Sequence, residues 1–170
     1  MTINLHSATV PTFVRMLKNA RTWLDKAAAH AEAKKFDSKN FMTMRLVADM
    51  LPFSSQIMIA TDHAKGCTAR LAGMEVPKYE DTETTFAELQ ARIDKTIAFV
   101  ESVPAEKFAG DDNREIVMST RARGDIKFTA KDYALAYAMG NFYFHLTTAY
   151  AILRSHGVDI GKLDYLGKLI

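Results

Sequence analysis

The chain has 170 residues, of which 48% are hydrophobic and 25% charged; this composition excludes intrinsic disorder, collagen and low-complexity classes and suits one hydrophobic core, hence a single domain over 1–170. Twenty-two Lys and Arg stand against 20 Asp and Glu, so no net field recruits a polyanion and no nucleic-acid partner is expected. A single cysteine, Cys67, excludes an internal disulfide and any multi-cysteine zinc site and fits a reducing compartment.

Eight glycines and four prolines give few breaking points, which points to long helices. Met1 to Thr12 lacks a basic segment followed by a continuous apolar run, so the protein is expected to be cytoplasmic. From Pro11, read as a first-turn proline, Phe13, Val14, Leu17, Ala20, Leu24, Ala27, Ala28 and Ala31 recur at helical spacing to about Ala33. Phe36 to Met50 is less regular and reads as a crossover with a short turn of helix. Helix two is expected from about Pro52 to Ala72, with Gly73 closing it. Thr85-Phe86-Ala87-Glu88 has the form of a capping box and opens helix three, which runs to Val103 on Phe86, Leu89, Ile93, Ile97 and Val100.

Between Arg114 and Phe128 the helical period breaks. Glu115–Ser119 and Asp125–Phe128 flank Gly124, predicting a small β-hairpin. Its Arg114, Arg121, Arg123, Lys127 and Lys131 make a locally basic, solvated face. Thr129 and Asp132 can cap helix four, expected to reach Arg154. The stretch Tyr133 to Leu153 carries no Asp, Glu, Lys or Arg, but Asn141, His145, Thr147, Thr148 and four tyrosines favour a buried central helix over a membrane span. In the tail, Ile160, Leu163, Tyr165 and Leu166 are expected to pack back onto the bundle.

Candidate chemistry gathers on two helices. Tyr137, Asn141, His145, Thr148 and Ile152 follow four-four-three-four spacing and stack along one face of helix four. Asn141 and His145 are one turn apart, a spacing that can hold a cation or a polar ligand; alternatively His145 hydrogen-bonds a buried tyrosine or a backbone carbonyl. Helix two carries Gln56, Ala60, His63, Cys67 and Arg70 at helical spacing. Its His63–Cys67 pair is either a ligand pair or a half-exposed histidine above a small buried hydrophobe. Gly66 and Gly140 lie inside helices and suggest close contacts or an access point. No phosphate-loop, dinucleotide, hydrolase or zincin string occurs.

Asn141-Phe142-Tyr143-Phe144-His145, Thr147 to Arg154, Gly157-Val158 and the ending Gly161 to Gly167 resemble an uncharacterised, domain-of-unknown-function family within the DinB/YfiT-like four-helix-bundle superfamily. Weaker agreement runs through Gln56, Asp62, Ala64, Lys65, Arg70 to Gly73 and Thr85-Phe86. The resemblance implies an all-α, up-down-down-up four-helix bundle with one longer crossover, a small β-hairpin before helix four, and pairing as a homodimer. It also implies a divalent-metal site, Zn²⁺ or Ni²⁺, built in typical members from three histidines. Here His145 falls on the second histidine of the helix-four pair, Asn141 on the first, and Gln56, with His63 second, on the helix-two position, so one of three histidines is kept. The ligand site is expected at Gln56, Asn141, His145, Tyr137 and Thr148, around a cavity taking a small polar ligand or a weakly held divalent metal. A metal-dependent enzyme of thiol-transferase type and a non-catalytic structural or stress-associated dimer are the alternatives.

Overall fold

The structure is a computed structural model that describes residues 3–120 and 124–167. Helix α1 (Leu5–Lys34) starts earlier than expected, because Asn4 and Ser7 form a reciprocal capping box, each side chain accepting the other's backbone N–H at 2.9 Å. Pro11 therefore lies inside the helix rather than in its first turn. The periodic face is otherwise as read: Phe13, Leu17, Ala20, Leu24, Ala27 and Ala31 are buried, with Trp23 beside them. A short turn, α2 (Asn40–Thr43), interrupts the irregular stretch 36–50, which joins two antiparallel helices and so is a plain connection, not the expected crossover.

Pro52 caps α3 (Phe53–Leu71), and Gly73, at φ +66°, lets the chain turn so that Met74 N–H reaches Ala69 O at 2.8 Å. The Thr85–Glu88 capping box opens α4 (Phe86–Ser102). A 3-10 turn (Ala105–Phe108) leads to the predicted hairpin, β1 (Glu115–Thr120) against β2 (Gly124–Thr129), with Ile116 opposite Phe128 and Met118 opposite Ile126. Alternation sends Ile116 and Met118 into the core. Arg121 and Arg123 of the basic face lie outside the described residues.

Thr129 caps Asp132 N–H at 3.1 Å, and α5 (Ala130–Asp132), a π turn (Tyr133–Ala138) and α6 (Met139–Ser155) follow one another with helical backbone at the junction residues Asp132 and Ala138. Nothing in the sequence signalled the π turn. Among the described residues no helix is long and apolar enough to cross a membrane. The uncharged stretch is buried on one face only, since Phe144 is 55% exposed and Leu135 44%.

Helices α1 and α4 pair through Lys18–Glu101, Arg21–Asp94 and Asp25–Gln90, in opposite sequence order. Helices α1 and α6 pair through Phe13–Phe142 and Trp23–Tyr150, in the same order. The tail clips onto α1: Trp23 Nε1–H donates to Asp164 O at 3.0 Å, and Tyr165 stacks on Trp23 at 5.5 Å. Ile160 is buried as expected, but Leu163 is 79% exposed. The five residues of α7 (Lys162–Leu166) present one side to α1, and Tyr165 takes that side.

Candidate functional site

Gln56, His63 and Arg70 are seven residues apart on α3, so they share one stripe. That stripe faces Tyr133, Tyr137 and His145. His145 meets Gln56 near the start of α3, and Tyr133 meets Arg70 near its end, so the two helices run antiparallel.

The Gln56 residue is 1% exposed, and its amide is engaged at both its nitrogen and its oxygen. Its Nε2–H donates to Leu51 O at 2.9 Å. A backbone carbonyl can only accept, so the amide oxygen must face His145, whose Nδ1 lies 2.7 Å away. Nδ1 therefore carries the proton, and in the neutral ring Nε2 keeps its lone pair. Burial holds the His145 imidazole below the ordinary histidine range, which favours that neutral form.

The His63 ring lies nearly parallel to His145, with centroids 6.0 Å apart, and meets the Tyr137 ring edge-on at 5.8 Å. Burial pushes its pKa down to about 4; the neighbouring His145 and Arg70 act in the same direction and Asp62 opposes them. At neutral pH the seam thus carries two neutral imidazoles. The Arg70 guanidinium donates to Tyr133 Oη at 2.9 Å. Tyr133 and Tyr137 stack at 6.0 Å, and Phe128 leans on both.

The other expected site residues are placed differently. Asn141 Nδ2–H donates to Tyr137 O at 2.8 Å and Thr148 Oγ1–H to Phe144 O at 2.8 Å, so both spend a donor on their own helix. Cys67 is fully buried, and burial pushes its thiol up to about 12 against the pull of Arg70, so near neutral pH it stays protonated and offers no thiolate nucleophile. An added Cβ at Gly66 would fall 2.7 Å from Arg70 Nη1, so this glycine makes room for the guanidinium, whereas Gly140 has nothing within 4 Å.

Among the described residues no three His, Cys, Asp or Glu side chains are grouped to hold a metal ion. The donors of the seam do not fit a tightly held transition metal. They amount to neutral imidazoles and an amide whose oxygen already accepts from His145, with no negative charge among them.

A second polar cluster has no counterpart in the sequence reading. Arg92 of α4, 3% exposed, donates to Thr61 Oγ1 at 2.7 Å and to Glu80 O at 3.1 Å, and pairs with Asp62, Asp81 and Glu83 at 2.8, 3.0 and 3.0 Å. Lys65 joins through Asp62 at 2.6 Å and over the Tyr79 ring at 4.4 Å. The only local signal is a charge one turn from Leu89 and Thr96 on an otherwise apolar face. The segment 79–83, between α3 and α4, forms a strap over this cluster, and open depressions of about 420 and 440 Å³ flank it, both bordered by Thr82 and Glu83.

Residues 5–166 match the family described as a domain of unknown function, DUF1993. The crystal structure of a DinB family member protein from Shewanella denitrificans is 41% identical, with a TM-score of 0.89 over 97% of this chain and 93% of that one. No curated protein matches the chain.

Proposed function

The chain belongs to the DUF1993 family, and from that premise we propose that the seam between α3 and α6 binds a small polar ligand at His145 and His63. The observation that carries the reading is the Leu51–Gln56–His145 relay, which orients His145 so that its Nε2 lone pair is left without a partner among the described residues. A neutral imidazole so fixed accepts a hydrogen bond from a ligand hydroxyl, amide or thiol. Tyr137 and the exposed Phe144, whose ring meets His145 at 5.2 Å, supply apolar flanks. A weakly held divalent cation is the second occupant of the same lone pair. The opposite pairing order of α1 with α4, the like order of α1 with α6 and the antiparallel seam also support an up-down-down-up path, with 72–85 as the crossover.

The test is elemental analysis of protein purified without a metal-affinity tag, followed by NMR of ¹⁵N-labelled histidine rings during titration with Zn²⁺, Ni²⁺ and neutral fragments such as acetamide and ethylene glycol. The reading expects substoichiometric metal and saturable fragment shifts at His145 that vanish in His145→Ala. Stoichiometric metal lost on that substitution would promote the metal-dependent enzyme, and rings indifferent to every probe would reduce His145 to a structural histidine.

A further inference from the structure

Arg70 is in the last turn of α3, where a cation is favoured by the helix dipole. That accounts for a positive charge but not for where the charge goes. The guanidinium folds back over Gly66, away from the helix end, and donates to the Tyr133 phenol. The terminal carbonyl of α3, Leu71 O, is served instead by Arg114 Nη2 at 2.8 Å. Among the described residues no carboxylate lies within 4 Å of Arg70, and its one hydrogen-bond partner is neutral. A guanidinium has five N–H donors arranged as a fork that matches oxyanions, so most of its capacity is unspent.

The next residue of the stripe has the same property. Among the described residues His63 makes ring contacts with His145 and Tyr137 and no hydrogen bond, so the N–H of its imidazole is free to donate. The one carboxylate beside it in sequence, Asp62, is held by Lys65 at 2.6 Å and Arg92 at 2.8 Å. Phe128, Tyr133 and Tyr137 wall the same stretch with aromatic surface, which lowers the local dielectric and strengthens any charge pairing made there. Tyr133, whose pKa burial pushes up to about 12, stays protonated while it accepts from Arg70 and keeps a further O–H to offer.

We propose that Arg70 and His63 form the oxyanion-binding end of the seam, so that its ligand is a small molecule bearing a carboxylate or phosphate group. This rests on the seam being a ligand site and adds the class of ligand. Arg70 holds the anion by charge and His63 donates to it, while the His145 lone pair remains for a donor group elsewhere on the same molecule.

The experiment follows the Arg70 Nε–H signal and the His63 and His145 ring nitrogens by NMR during titration with sodium acetate and with inorganic phosphate. Acetamide, and sodium chloride at matched ionic strength, serve as controls. Saturable shifts at Arg70 and His63 with the oxyanions alone are expected. Arg70→Gln should weaken them about tenfold or more, the cost of a lost charge-assisted contact, and Arg70→Lys should recover part of the loss. Gly66→Ala provides a second route, because its Cβ displaces the guanidinium while keeping the charge; it should weaken oxyanion binding several-fold. Acetamide shifting Arg70 and His63 as strongly as acetate, or undiminished binding in Arg70→Gln or Gly66→Ala, would overturn the proposal. If His145 answers neutral fragments while Arg70 ignores oxyanions, the ligand class is wrong and the seam reading stands; silence at all three residues sinks both.

Discussion

Arg92 and Arg70 carry the same head group and end in opposite states. Arg92 is nearly inaccessible, and its guanidinium is divided among three carboxylates, a threonine and two backbone carbonyls. Arg70 is half-buried and spends one donor on a neutral phenol. Burying a charge is tolerated when every donor finds a partner, and then the group serves the fold. An arginine with donors left over, beside a histidine whose nitrogens have no partner among the described residues, has capacity that the described fold does not consume. The two arginines thus mark a clamp, where the strap carrying Tyr79, Asp81 and Glu83 is tied to α3 and α4 through three carboxylates, and the proposed site, where α3 faces α6 without one among the described residues.

The sharpest way to break this contrast is to delete each arginine. Arg92→Ala removes the common partner of Asp62, Asp81 and Glu83 and leaves a void, so a loss of about 3 kcal/mol is expected in urea denaturation. Arg70→Ala should cost less than about 1 kcal/mol, since one hydrogen bond to a phenol is lost. Equal losses would mean that Arg70 is as structural as Arg92.

Acid should expose the seam next. The folded value of about 4 for His63 lies below the ordinary 6.5, so the unfolded chain takes up that proton first. The contribution of neutral His63 is fully present above about pH 6.5 and is lost as pH falls toward 4, with no further loss below. After allowance for partial solvent screening the fall amounts to about 2 kcal/mol. His145 is shifted in the same direction and adds to it. Stability curves measured between pH 4 and 7 should be visibly flatter for His63→Gln; unchanged slopes would place the acid sensitivity elsewhere.

Gln56→Met tests the relay from inside. It keeps the volume but leaves Leu51 O and His145 Nδ1–H without their partner, so a loss of about 1–2 kcal/mol is expected, together with a mixture of His145 tautomers. The smallest effect belongs to Gly66→Ala. Alanine gains about 1 kcal/mol of helix propensity, which the displaced end of Arg70 offsets in part, so the melting temperature should hardly move. A large drop would show that the guanidinium packs for stability.

Much of the frame was legible because its signals are local. The Thr85–Glu88 box, Gly73 after α3, Thr129 before α5 and the two short strands around Gly124 each depend on neighbours within a few residues. The start of α1 lies earlier than the pattern suggests because Pro11 favours a first turn, whereas the Asn4–Ser7 box lacks the Glu or Gln of the usual capping signature, and the π turn leaves no period of its own. Gln56, His63 and His145 stood out by residue type and spacing, and the Gln56–His145 bond itself depends on antiparallel packing across 89 residues of chain. Arg70 lay on the marked stripe without a role, since its fold-back depends on Tyr133 from another helix. The Arg92 clamp was invisible for a stronger reason: its carboxylates come from α3 and from two positions on the strap, with no common spacing.

The proposed site depends on the protonation state of one ring, His145. A long-range ¹H–¹⁵N correlation spectrum of the histidine side chains at pH 7, assigned by loss of signals in His145→Ala, reads the protonation of both His145 nitrogens directly. The relay predicts a neutral imidazole with its proton on Nδ1 and an unprotonated Nε2. A proton on Nε2, or on both nitrogens, would mean that His145 has no lone pair to offer a ligand and would contradict the proposed site.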